Sequence, residues 1–110
     1  MANAFQNMMM QQFGKIQRDI QTAMESLEAE RVEASSGGGV VRAIATGTGE
    51  LLEVILTPEV VDPQDVEMLQ DLVVTAVREA VSKANELRQQ KIQEALGPLA
   101  AFAGQMPGLF

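Results

Sequence analysis

Residues 36–57 read SGGGVVRAIATGTGELLEVILT, and this stretch decides the fold. Two turn signals, Gly37-Gly38-Gly39 and Gly47-Thr48-Gly49, flank Val40–Thr46, which reads as a strand. Glycine adopts positive φ without steric cost, so both signals permit hairpin turns. Glu50–Thr57 reads as the next strand, and Val32-Glu33-Ala34-Ser35 as a short preceding one. Alternation puts Leu52, Val54 and Leu56 on one face of the last strand and Leu51, Glu53 and Ile55 on the other. With apolar residues on both faces, neither side is expected to lie wholly in water.

On either side of this stretch the apolar period changes to that of a helix. Residues 4–33 are predicted helical, because Phe5, Met9, Phe13, Ile16, Ile20, Ala23, Met24 and Leu27 recur mostly three or four apart. Phe13, Ile16, Ile20, Ala23 and Leu27 keep a heptad-like rhythm suited to a helix–helix seam. Gly14 interrupts the helix at a cost of about 1 kcal/mol relative to Ala. Met8, Met9 and Met10 read as adaptable packing residues. For the second helix, Asp62 is the expected N-cap, Pro63 the first helical residue and Asp65 the third, with Val61 and Val66 as a hydrophobic staple. Its stripe is Leu69, Val73, Ala76, Val77, Ala80, Ala84 and Leu87, and Gly97-Pro98 ends it. Residues 1–97 are thus expected to form one domain. The tail, 98–110, is apolar, broken by Gly and Pro, and equally compatible with docking and with fraying. A helix of ~25 residues is ~38 Å long and a strand of ~7 residues only ~23 Å. The sheet cannot cover the first helix, which favours a homodimer with projecting helix ends. Phe13, Ile16, Ile20, Leu27, Val54 and Leu56 are the candidate core and dimer residues.

Composition limits the chemistry. The chain has 110 residues, 46% hydrophobic and 21% charged, as expected of one folded domain. Eight basic residues against fifteen acidic ones give a net charge of -7, which excludes holding nucleic acid by bulk positive charge. The absence of Cys removes disulfides and thiolate chemistry, and the absence of His removes the commonest general base and metal ligand. With four Phe and no Trp or Tyr, base-stacking platforms are not expected. The first residues lack the early Lys or Arg of a signal peptide, and no run approaches the ~20 apolar residues of a membrane span. A cytoplasmic protein without membrane attachment is expected.

Neither glycine turn precedes a helix or ends in the Gly-Lys-Ser/Thr of a phosphate loop. The acids Glu59, Asp62, Asp65, Glu67 and Asp71 lack the alternating ligands and central Gly of a calcium loop. Helix capping accounts for Asp62 and Asp65. Ser82 and Lys83 point about 100° apart on a helix and form no nucleophile–base pair. The expectation is no enzyme, no cofactor, no metal and no small-molecule substrate.

The chain resembles the YbaB/EbfC family of bacterial nucleoid-associated proteins. The matching stretches are Met10-Gln11-Gln12-Phe13-Gly14-Lys15-Ile16-Gln17, Ser36-Gly37-Gly38-Gly39-Val40-Val41, Thr57-Pro58-Glu59-Val60-Val61-Asp62-Pro63, Glu67-Met68-Leu69-Gln70-Asp71-Leu72-Val73 and Met106-Pro107-Gly108-Leu109. They run nearly end to end and in order. The resemblance implies an α+β fold of order α-β-β-β-α, with a three-stranded antiparallel sheet flanked by two long helices. It also implies a tweezer-like homodimer, double-stranded DNA as partner, a nucleoid location and no catalysis. Relatives commonly carry more Lys in the first helix, where this chain has Gln11 and Asp19.

DNA contact then rests on basic residues free of an acidic neighbour one turn away. Lys15 is expected to pair with Asp19, Arg31 with Glu28 and Lys83 with Glu79, whereas Arg18, Arg78 and Arg88 have no such neighbour. Arg88 and Lys91 lie one turn apart where the second stripe loses its apolar residues, after Leu87, which predicts a projecting basic helix end. Arg18, Arg88 and Lys91 are the first candidates for phosphate contact, followed by Lys15, Arg78 and Lys83, with Arg42 added if its sheet face is open. The alternative is a dimeric adaptor for other proteins, favoured by the acidic charge, the Met-rich helix and the apolar tail.

Overall fold

The computed structural model describes residues 2–97, with side chains from Asn3 onward, so the tail at 98–110 lies outside the described residues. Strands β1 (Arg31–Ser36), β2 (Val41–Thr46) and β3 (Leu51–Leu56) form one antiparallel sheet in that order. The first turn runs through Gly37, Gly38 and Gly39, whose φ values of 60°, 75° and 99° are open only to glycine at ordinary cost. The expected α-β-β-β-α order is the observed one, with an added 3-10 turn at Pro58–Val60.

Helix α2 (Val66–Ala95) lies across β1 and β2 and barely reaches β3. Ala34, Ala43 and Val54 are cross-strand partners, so they share the face toward the helix. Against them pack Ala76 and Ala80, both fully buried. Alanines on both sides let helix and sheet backbones approach closely. The hydroxyl of Ser36, at the end of β1, donates to the Leu72 carbonyl at 2.6 Å and ties α2 to that end of the sheet. The opposite sheet face carries Glu33, Ser35, Arg42, Ile44, Glu53 and Ile55, and among the described residues no element of the chain covers it.

Helix α1 (Ala2–Ala29) joins this body at its C-terminal end. Leu27 is fully buried, and its carbonyl accepts from the Gly47 N–H at 2.9 Å. A Cβ on Gly47 would stand 2.7 Å from that carbonyl oxygen, so only glycine fits. From this junction α1 runs beside the C-terminal part of α2, burying Ile16, and then continues outward. The molecule measures 76 × 29 × 16 Å. Its radius of gyration of 20.8 Å far exceeds the ~13 Å of a compact chain this long.

Several boundaries differ from expectation, each for a local reason. Helix α1 stops at Ala29 rather than 33, because Arg31, Val32 and Glu33 pair with Thr46, Ala45 and Ile44. Helix α2 is capped by Asp65, whose carboxylate accepts from the Met68 N–H, and not by Asp62. Asp62 accepts from the Gln64 N–H and closes the preceding turn. Val61 and Val66 both remain exposed, so no staple forms. The stripe of α2 continues past Leu87 to Ala95, only 9% exposed, because α1 lies alongside. In β3 the partner of Ile44 is Glu53 but that of Ala45 is Leu51, so Leu52 is an extra residue. This bulge moves Leu51 out of the face shared by Glu53 and Ile55 and onto that of Ala45.

The two glycines make opposite predictions. A Cβ at Gly14 meets nothing within 4 Å, so Gly14→Ala will stabilise the fold by about 1 kcal/mol. Gly47→Ala forces the Leu27 carbonyl away and will destabilise it by about 1–3 kcal/mol. Chemical denaturation of the two variants beside the parent chain measures both effects.

Candidate nucleic-acid interface

The six candidate phosphate contacts fall into two groups. Lys15 and Arg18 lie one turn apart on α1, are exposed, and make no ion pair or side-chain hydrogen bond among the described residues. The expected Lys15–Asp19 pair does not form, since the two ion pairs found are elsewhere. The apolar neighbour Ile16 is buried, so the helix holds its inner face while Gln11, Lys15 and Arg18 line an outer one. Arg78, on the outer side of α2, is likewise exposed and unengaged among the described residues.

Lys83, Arg88 and Lys91 are all engaged within the chain. Lys83 Nζ donates to the Glu33 carbonyl at 3.0 Å, bridging α2 to β1 instead of pairing with Glu79. Arg88 donates to Asn85 Oδ1 at 3.3 Å. Lys91 lies 3.8 Å from the Glu30 carboxylate and is half-buried, because α1 ends beside this turn of α2. The free basic helix end expected at Arg88 and Lys91 is therefore a flank of the α1–α2 contact. Arg31 donates to the carbonyls of Glu28 and Glu30 at 3.0 and 3.2 Å rather than to the Glu28 carboxylate.

Arg42 projects from the open sheet face and pairs with Glu33 on the neighbouring strand. The strand register makes them diagonal neighbours, since Arg42 stands opposite Ser35. The hydrogen bond from Arg42 holds the Glu33 carboxyl below the usual carboxylate range, helped by the positive charges of Arg42 and Lys83. Arg42 is correspondingly raised by Glu33. The acids Asp65, Glu67 and Asp71 surround a shallow open depression with Met68, Leu72 and Thr75. Among the described residues no three acids are arranged to hold a metal.

A folded-state carboxyl pKa held below its unfolded value adds stability at neutral pH and loses it as pH falls through the folded value. Arg42→Gln will therefore move the Glu33 pKa upward, and NMR titration of the Glu33 side-chain carboxyl will read the shift.

Comparison with known proteins identifies the family and the fold. The model of the YbaB/EbfC DNA-binding family matches residues 1–99. A nucleoid-associated protein of Ruminiclostridium cellulolyticum is 45% identical over 104 residues, covering 94% of this chain and 87% of the relative. One from Acetivibrio thermocellus is 47% identical, covering 94% and 88%. One from Streptomyces avermitilis is 47% identical, covering 92% and 88%. The crystal structure of an uncharacterized protein from Helicobacter pylori shares the fold with a TM-score of 0.69 at 20% identity, over 76% of this chain and 88% of that one. With a family model matched across the domain and relatives this similar over nearly all their length, the chain belongs to the YbaB/EbfC DNA-binding family.

Proposed function

We propose that this protein binds duplex DNA as a homodimer, mainly through phosphate contacts, and acts in nucleoid organisation and gene regulation. Family membership supports DNA as the ligand, and the relatives' names support a nucleoid location. The observation that carries the contact surface is the pair Lys15 and Arg18, exposed and, among the described residues, unengaged on the part of α1 that leaves the body. Arg78 joins them on the same criterion, ahead of Lys83, Arg88 and Lys91, which must give up internal partners to reach a phosphate. Phosphate contacts fix position and carry little sequence information. No catalytic role is part of the proposal.

Unburied apolar surface supports the homodimer. Phe5, Met9 and Phe13 on α1 are each at least 45% exposed, and Leu51, Leu52 and Leu56 leave β3 exposed along an unpaired sheet edge. Such surface on a small chain is suited to association. The exposed Met8, Met9 and Met10 favour a second reading, a dimeric adaptor for protein partners.

Three cations per protomer that are unengaged among the described residues give about six phosphate contacts per dimer, and log K will fall with log salt at a slope of about -5. Removing four of these contacts with Lys15→Ala plus Arg18→Ala will weaken binding and flatten the slope by roughly 3–4. Fluorescence anisotropy at several salt concentrations measures both, and solution mass will give twice 11.9 kDa. No binding at low salt would exclude the DNA reading. Partners that survive nuclease treatment in a pull-down would favour the adaptor.

A further inference from the structure

The charged side chains all lie in the middle of the sequence. The eight bases and fifteen acids run from Lys15 to Glu94, so residues 1–14 and 95–110 carry none. The fold sends these two uncharged stretches the same way. Helix α2 is tied to the sheet at Leu72, bridges to β1 through Lys83, and passes Glu30 at Lys91 on its way out. Helix α1 leaves from that same place in the opposite chain direction, so the two run antiparallel. From Glu30 to Phe5 α1 covers ~38 Å, whereas α2 has only ~9 Å left from Lys91 to Gly97, an overhang of ~29 Å. On the overhang, Phe5, Met9 and Phe13 continue the stripe of Ile16, Ile20 and Leu27. Ile16 and Leu27 are buried and Ile20 is half-buried, but Phe5, Met9 and Phe13 are 63%, 45% and 57% exposed.

We propose that residues 98–110 of the same chain continue past α2 and cover this bare stripe. The inference is independent of the DNA-binding reading, and it leaves the β3 edge, with Leu51, Leu52 and Leu56, for a second copy. The segment is long enough, since its thirteen residues reach up to ~43 Å when extended, more than the overhang. It also has the right chemistry. Leu99, Phe102, Met106, Leu109 and Phe110 are apolar, and neither surface has a charged side chain to desolvate. The overhang needs such a cover. Residues 2–13 are helical without a single oppositely charged pair one turn apart, and a helix that short is marginal alone in water. Burying its stripe supplies what these local interactions do not. The tether favours the chain's own segment over another copy's. A short linker gives an effective concentration of ~1 mM, about a thousandfold above a micromolar solution of the protein. The antiparallel order carries Phe102 toward Phe13 and Leu109 toward Phe5.

The absence of Cys lets a single nitroxide be attached at Gln105→Cys in the full chain. In an isotope-labelled sample, the amides of residues 5–13 are expected to lose most of their NMR intensity relative to the same sample after reduction of the nitroxide. Those of β2 should keep theirs. Mixing an unlabelled nitroxide-bearing chain with an isotope-labelled parent chain reads contacts between copies, and there residues 5–13 should stay bright. Phe5→Gln with Phe13→Gln, both at exposed positions, should release the segment and restore the lost signals in the first sample. Full intensity at residues 5–13 in the first sample would overturn the inference. So would comparable loss in the mixed sample, because the occupant would then come from a second copy. Losses that survive the two Phe substitutions would also overturn it, because something other than the bare stripe would then hold the segment.

Discussion

The arrangement depends on one backbone contact. The carbonyl of Leu27 meets the N–H of Gly47, and the Leu27 side chain is fully buried beside it. A helix end has carbonyls without partners, and here a hairpin turn satisfies one of them. That contact sets the direction in which α1 leaves the sheet. It carries the positions of Lys15 and Arg18, and it brings Glu30 beside Lys91. The space is available only because position 47 has no side chain.

The body that anchors the helix is thin. Apart from Leu27 and Val41, its fully buried side chains are alanines, at positions 43, 45, 76, 80 and 84. Small residues permit close approach but remove little apolar area from water per residue. Larger apolar side chains are left outside, Met10 at 72% exposure and Phe13 at 57% among them. The chain thus spends its small residues on internal contact and keeps these large ones at the surface.

Much of this was legible in the letters. Periodicity identified both helices, and the two glycine turns identified the three strands, because these signals are local. The errors came where two local signals competed or where a distant element decided. Both Asp62 and Asp65 are good caps, and the helix starts at the later one because Asp62 is used in a turn. Arg31 to Glu33 continue a charged helical pattern, yet their backbones are claimed by β2. Leu52 is a bulge that alternation alone cannot show. Among the candidate contacts, Arg18 and Arg78 have no acidic residue one turn away and are unengaged among the described residues. Lys91 finds Glu30 across sixty-one positions of sequence, and Lys83 finds a strand carbonyl, neither of which spacing rules can reach.

The bulge at Leu52 has a bearing on solubility. Five of the six residues of β3 are aliphatic, and the strand lies at the rim of the sheet. A flat rim of that composition would template the addition of further strands without limit, as in amyloid. The extra residue breaks the regular spacing of donors and acceptors and increases the local twist. A neighbouring sheet can match the rim over a few residues and then falls out of step, which permits a closed pairing and discourages an endless ribbon.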